Sequence, residues 1–122
     1  MAISNFVSRC LNGEPPIVYG EGTQTRDFTY IDDVVAANLA LLSTDAADGH
    51  VLNIGSTDNI EIRTLATEIR DQLASELELE FAERHNADAE HTQADTAMAR
   101  ELLDYEPTYT IREGVAAFVE WY

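Results

Sequence analysis

The sequence predicts an α/β chain, α+β-like in character, of about five helices with short strands between them. Three observations carry this. Apolar residues recur at helical spacing in several separate stretches. Short runs such as "IVY" and "LELEFA" between them are β-rich or alternate. Glycine, proline and Asp/Asn clusters separate the two kinds of segment.

The first helix is read from Ile3, Phe6, Val7, Cys10 and Leu11, which share one face. Ser4 or Ala2 starts it, and Gly13 suits its C-terminal left-handed position. In "EPPIVYG" two prolines forbid continuation and "IVY" reads as a strand. "GEG" is a turn. "TRDFTYI" is expected as the next strand, with Phe28 and Tyr30 on one side and Thr29 and Ile31 on the other. Asp32 or Asp33 then caps a helix whose apolar members are Val34, Val35, Leu39, Leu41 and Leu42.

"DAADGH" ends that helix, "HVLNIG" reads as a strand and "STDN" as a turn. A helix follows with Ile62, Leu65, Ala66, Ile69, Leu73 and Leu77 on its face, and then the strand "LELEFA". "ERHNADAEHTQAD" has no apolar period and reads as a long loop. Asp95 caps a helix through Leu103, which "YEP" breaks. Thr110 with Glu113 three residues on forms a capping box for a last helix carrying Ile111, Val115, Phe118, Val119 and Tyr122. Nothing marks an internal boundary, so residues 1–122 are expected to form a single domain.

Composition restricts function. Acids outnumber bases 23 to 7, giving a net charge of −16, and every base is arginine. The acids are dispersed over all segments, as on a solvated surface. Their mutual repulsion is relieved by salt, whose screening length falls to about 3 Å at 1 M. An extreme halophile is the expected source. No basic face meets phosphates of nucleic acid, so nucleic-acid binding is disfavoured. No apolar run suits a membrane span. The N-terminus has helical spacing rather than a signal-peptide pattern, so a cytoplasmic protein is expected. Cys10 is unpaired and sits on the apolar side of its helix, where it reads as a small buried hydrophobe.

Chemistry-bearing motifs are few. The chain has no GxSxG elbow, no GxxxxGKS loop and no GxGxxG turn. His85, Asp88 and His91 share a loop with Glu90, but their spacing matches no defined metal-ligand motif, and the loop reads as solvated. Arg9, Arg63, Arg70, Arg100 and Arg112 fall on helices, where pairing with a nearby acid is expected. Arg26, after a glycine turn, and Arg84, opening the polar loop, stand apart. Guanidinium forks suit bidentate recognition of phosphate oxygens, and two from distant segments would serve one diphosphate.

The segment "NGEPPIVYGEGTQTRDFTYIDDVVAANLALL" resembles that of extended short-chain dehydrogenases acting on nucleotide sugars, of which UDP-glucose 4-epimerase and its dehydratase relatives are members. "GHVLNIGSTDNIEIRTLATEI" resembles the same family's strand, "NIG" turn and helix, and "ADTAMARELLDYEPTYTIREGVAAFVEWY" its C-terminal end. The resemblance covers essentially the whole chain. It implies the substrate-binding lobe of such an enzyme without its Rossmann domain. The NAD site and the Tyr-x-x-x-Lys pair of the family are not found in these 122 residues, which contain no lysine. No catalytic residue is therefore assigned, and no cofactor is expected on this chain alone; NAD belongs to the full-length family.

By the resemblance, Arg26 matches the arginine that grips the nucleotide diphosphate. Tyr19 matches a position lining the nucleotide pocket, and it reads equally as a strand aromatic in the core. Arg84 and Asp88 match a phosphate-binding arginine and a nucleoside-contacting aspartate of an "R-x-G-D" loop. That loop is one residue longer here, "RHNAD", and its glycine is replaced. Gln24, Phe28, Tyr30 and Asp33 also fit the pattern, Phe28 and Tyr30 as packing residues and Asp33 as a cap. The implied ligand is a UDP-sugar. A Rossmann-domain partner, or self-association of a non-enzymatic remnant, is the alternative fate of the surface that the family buries between domains.

Overall fold

The computed structural model describes residues 2–56, 58–84 and 88–122. Along the chain lie α1 (Ala2–Leu11), β1 (Ile17–Tyr19), β2 (Thr25–Asp27), α2 (Ile31–Leu41), β3 (Asn59–Glu61), α3 (Ile62–Leu73), β4 (Glu80–Ala82), α4 (Ala97–Leu103) and α5 (Ile111–Trp121). Five helices and short strands form a mixed α/β architecture, as the sequence spacing predicts.

The larger core lies where α1 packs on α3. Phe6, Val7 and Cys10 from α1 meet Ile62, Leu65, Ala66 and Ile69 from α3, with Val18 of β1 and Val115 of α5 closing the cluster. These are the i, i+3, i+4 positions of each helix, so one apolar stripe buries the other. Burial in this cluster raises the Cys10 thiol pKa, in keeping with an apolar rather than a nucleophilic role. A second cluster joins Ala37 of α2, Ala47, Ala99 and Leu103 of α4, and Tyr105.

Two small sheets sit beside these cores. β1 pairs in parallel with β4, Val18 opposite Phe81, and β2 pairs antiparallel with β3, Arg26 opposite Ile60. The sequence expectation overruns here. The "TRDFTYI" strand stops at Asp27, because its partner β3 offers only three residues and the Asp27 carboxylate turns to accept from the Ser56 and Ala94 amides, at 2.8 and 3.0 Å. Asn59, read as the end of the turn "STDN", supplies β3 instead, together with Ile60 and Glu61, which the sequence reading places in no element.

"HVLNIG" is not a strand. Its period-two burial survives, with Val51 and Asn53 exposed and Leu52 and Ile54 against the second cluster. Among the described residues, however, Val51 to Ile54 make no backbone-to-backbone hydrogen bond. The segment is held at its rim: Asn53 Nδ2 donates to the Asp95 carbonyl (3.2 Å), and the Tyr105 hydroxyl donates to the Gly55 carbonyl (2.7 Å).

The helix caps differ in part. α5 carries the capping box expected from Thr110 and Glu113. α2 is capped at Tyr30 with no side-chain cap bond, and Asp33 has another task. It is buried, and its carboxylate accepts from the Thr108 amide and hydroxyl, both at 2.9 Å, and the Tyr109 amide, at 3.3 Å. α4 is capped at Thr96, while Asp95 Oδ1 accepts from the Ala97 amide one residue earlier than a cap would place it. α3 ends at Leu73, short of Leu77. The apolar members assigned to α2 are also displaced: its buried residues are Asp33 and Ala37, whereas Ile31, Val35, Leu39 and Leu42 form an exposed stripe.

Candidate functional site

The parallel pairing of β1 and β4 brings their C-terminal ends together. This is the edge of a parallel arrangement where ligands commonly lie. The Gly20 amide donates to the Ala82 carbonyl (2.8 Å) and locks Tyr19 next to the start of the 83–84 segment. Gly20 and Gly22 both take positive φ, +70° and +75°, which turns the chain from β1 into β2. Buried Gln24 secures this turn by donating from Nε2 to the Tyr19 carbonyl (2.9 Å).

β2 then carries Arg26, half-buried, alongside the returning segment 88–92. Thr25 fixes that segment. Its amide donates to the Glu90 carbonyl (2.9 Å), its carbonyl accepts from the Thr92 amide (3.2 Å), and its hydroxyl bonds His91 Nδ1 (2.9 Å).

Arg26 and Arg84 both reach this one segment. Arg26 Nη2 donates to the Asp88 carboxylate and to the Ala89 carbonyl (2.7 Å), and Nη1 to the Thr25 carbonyl (2.7 Å). Arg84 Nη1 donates to Glu90 Oε1 (2.7 Å), and Nη2 to the Asp88 carbonyl (2.9 Å). The hydrogen bond and charge of Arg84 lower the Glu90 carboxyl pKa from its ordinary value. Thus Arg26, Arg84 and Asp88 meet on one three-residue stretch.

A cleft of about 690 Å³ opens beside it, walled by Tyr19, Gln24, Arg26 and Asp88 on one side and by Asn5 and Phe6 of α1 on another. Tyr19 is exposed at this wall rather than packed as a core aromatic. Arg84 is not on the wall; it approaches through the segment it holds. His85, Asn86 and Ala87 of the "RHNAD" loop lie outside the described residues. Phe28 packs against the larger core, and Tyr30 stacks on Tyr109 with ring centroids 4.3 Å apart.

The helical arginines Arg9, Arg70 and Arg112 pair with Glu14, Asp71 and Glu68. Asp27 is the contributor that sequence reasoning passed over. Its carboxylate joins β2 to Ser56 and Ala94, and a Cβ on Gly55 would stand 2.7 Å from its Oδ2. Its one local partner is the Thr29 hydroxyl, at 3.5 Å, and the two shorter bonds come from remote backbone amides, which no local pattern marks.

The same arrangement of helices and short strands is found in one part of larger epimerases. An epimerase from Methanothermobacter thermautotrophicus superposes with a TM-score of 0.94 at 30% identity, over 99% of this chain and 36% of that one. A variant UDP-glucuronic acid 4-epimerase from Bacillus cereus, in complex with UDP-4-deoxy-4-fluoro-glucuronic acid and NAD, gives 0.90 at 31% identity, over 99% of this chain and 39% of its own. In sequence, a UDP-glucuronate 4-epimerase of Thermodesulfobacterium geofontis is 33% identical over 122 residues, 99% of this chain and 37% of that protein. The chain thus spans between a third and two-fifths of the length of these relatives. The fold is that of the C-terminal portion of nucleotide-sugar epimerases. Residues 1–118 match the GDP-mannose 4,6 dehydratase family, and the chain belongs to it.

Proposed function

We propose that residues 1–122 form one nucleotide-sugar-binding unit of an NAD-dependent epimerase, dehydratase or decarboxylase. Arg26 and Arg84 take the diphosphate of a UDP-sugar, Asp88 the nucleoside, and Tyr19 borders the pocket. The supporting observation is the convergence of two guanidinium groups, from β2 and from beyond β4, on the 88–90 segment beside the cleft. Each fork matches a pair of phosphate oxygens, and together they fix the nucleotide at two points. Fixing it leaves the sugar fewer orientations, a positioning contribution to catalysis. Hydride chemistry is NAD's in such enzymes. These residues hold no GxGxxG turn and no lysine, so they do not fit a dinucleotide site, and no chemical step is assigned to them. The acidic surface is read as an adaptation to molar salt in a cytoplasm. Among the described residues no helix is long and apolar enough to cross a membrane.

Titration with UDP at molar salt, followed by amide NMR, tests the reading. Shifts are expected at Tyr19, Arg26, Arg84 and Asp88. Arg26→Lys, which removes the fork and keeps the charge, is expected to weaken binding about tenfold. Silence at these residues up to millimolar UDP overturns the proposal.

The exposed stripe on α2 favours a second role, docking of a Rossmann domain or of a second copy. Ile31, Val35, Leu39 and Leu42 are 60%, 47%, 59% and 84% exposed on one face. A stripe of this kind is ordinarily covered. Sedimentation of the isolated chain in high salt discriminates the two.

A further inference from the structure

A second cavity, of about 460 Å³, opens at the start of α2, bounded by Ile3 of α1, by Tyr30 and Ile31, and on the side of α5 by Tyr109, Gly114 and Phe118. A quarter of the chain is charged, yet among the described residues lining this groove only Asp27 is. The Asp27 carboxylate is already engaged by the Ser56 and Ala94 amides. One turn beyond Phe118 stand Trp121 and Tyr122, whose ring centroids lie 5.9 and 5.6 Å from that of Phe118. Trp121, the sole tryptophan, is 80% exposed, and Tyr122 is 56% exposed. An apolar groove and an exposed aromatic pair thus adjoin on one helix.

We propose that a second copy of this chain fills the groove. The two α5 helices cross antiparallel, and Trp121 and Tyr122 of each copy enter the groove of the other. The contact is independent of the nucleotide reading, and it uses α5 rather than the α2 stripe.

A contact of this symmetry requires a surface complementary to itself. On the groove side of α5 the smallest residue, Gly114, stands one turn before Phe118, and the largest, Trp121, one turn after it. Antiparallel pairing about Phe118 sets each large ring over the other copy's glycine, a ridge into a gap. Tyr30 packs on the same glycine, so that a Cβ there would stand 3.2 Å from its Cδ2, and its ring floors the groove. Four exchanged rings, with the walls that receive them, bring the buried area to on the order of 1,200 Å², the lower limit for a stable interface. Residues 114–119 carry no charge, so the centre of the contact desolvates none. The −16 on each copy opposes approach at low ionic strength, and molar salt screens it.

The test reads Trp121 directly, since it is the chain's sole indole. Emission wavelength and acrylamide quenching of the unaltered chain are followed against concentration at molar salt, beside sedimentation equilibrium. Expected is a monomer–dimer equilibrium in which emission moves to shorter wavelength and quenching falls in step with the dimer fraction. The same response is expected in the Leu39→Glu, Leu42→Glu background, which removes association through α2. Trp121→Ala alters an exposed site, keeps the fold, and is expected to weaken dimerisation about tenfold or more in sedimentation. If the chain associates while Trp121 stays as open to quencher as in the monomer, or if Trp121→Ala associates as tightly as its parent, the proposal falls and the α2 stripe stands. A chain that stays monomeric at millimolar concentration overturns both contacts between copies.

Discussion

The aliphatic stem of Arg84 lies directly on the backbone of Gly20: a Cβ built there would stand 3.2 Å from both the Cβ and the Cδ of Arg84. The glycine thus serves two needs at once, a left-handed turn after β1 and a seat for the arginine that reaches the 88–90 segment.

Gly20→Ala separates these needs when compared with Gly13→Ala. Both glycines have positive φ, +70° and +73°, but nothing stands within 4 Å of a Cβ at Gly13. Each substitution is expected to cost about 1–2 kcal/mol of backbone strain. Only Gly20→Ala is expected also to displace Arg84 and weaken UDP binding. Thermal denaturation and UDP titration of the two variants check this.

Asp33 ties α2 to the loop before α5. Asp33→Ala leaves the Thr108 amide, Thr108 hydroxyl and Tyr109 amide without their acceptor, in a partly buried position. A loss of about 3 kcal/mol is expected, measured as urea unfolding free energy at fixed salt. A loss below about 1 kcal/mol would show that water replaces the carboxylate there.

Two groups predict opposite pH responses. Hydrogen bonds from Thr110 lower the Glu113 carboxyl pKa. Its capping contribution is therefore complete above the unfolded value, about 4.3, and is lost as pH falls through the lowered folded value. Tyr109 donates to Asp32, which raises the phenol pKa. That contribution is complete below the ordinary tyrosine value, about 10, and is lost as pH rises through the raised one. Thr110→Ala should destabilise α5 by about 1 kcal/mol. Asp32→Asn should lower the alkaline midpoint of Tyr109, followed by absorbance near the phenolate band.

The α2 stripe predicts association. Leu39→Glu with Leu42→Glu is expected to reduce self-association in sedimentation velocity at high salt. Unfolding free energy should stay within about 0.5 kcal/mol per site, since both side chains are exposed. A monomeric parent chain would remove the self-association arm and leave only a foreign partner for that face.

Helices were legible because their information is local. The stripes of α1 and α3 meet each other, and the Thr110–Glu113 box closes within four residues. Strand limits were not, because β2 ends where its distant partner β3 ends, and "HVLNIG" has the right alternation but no ladder partner among the described residues. Asp33 shows the same limit: its place at a helix start suggests a cap, yet its bonds go to residues 75 and 76 positions away. For the site, Arg26 and Arg84 were marked by their scarcity among 23 acids and by family resemblance. That both would seize the same three residues depends on tertiary packing, as does the role of Asp27.

The unpaired run from Val51 to Ile54 carries a cost for handling the chain. Among the described residues its peptide groups join no ladder, and Val51 is fully displayed to solvent, which is the combination that favours strand-by-strand aggregation. In dilute low-salt buffer, like-charge repulsion at −16 keeps molecules apart while loosening the fold. In molar salt the fold tightens, but the repulsion that guarded this edge is screened away. Colloidal and conformational stability are thus set against each other by one variable, ionic strength.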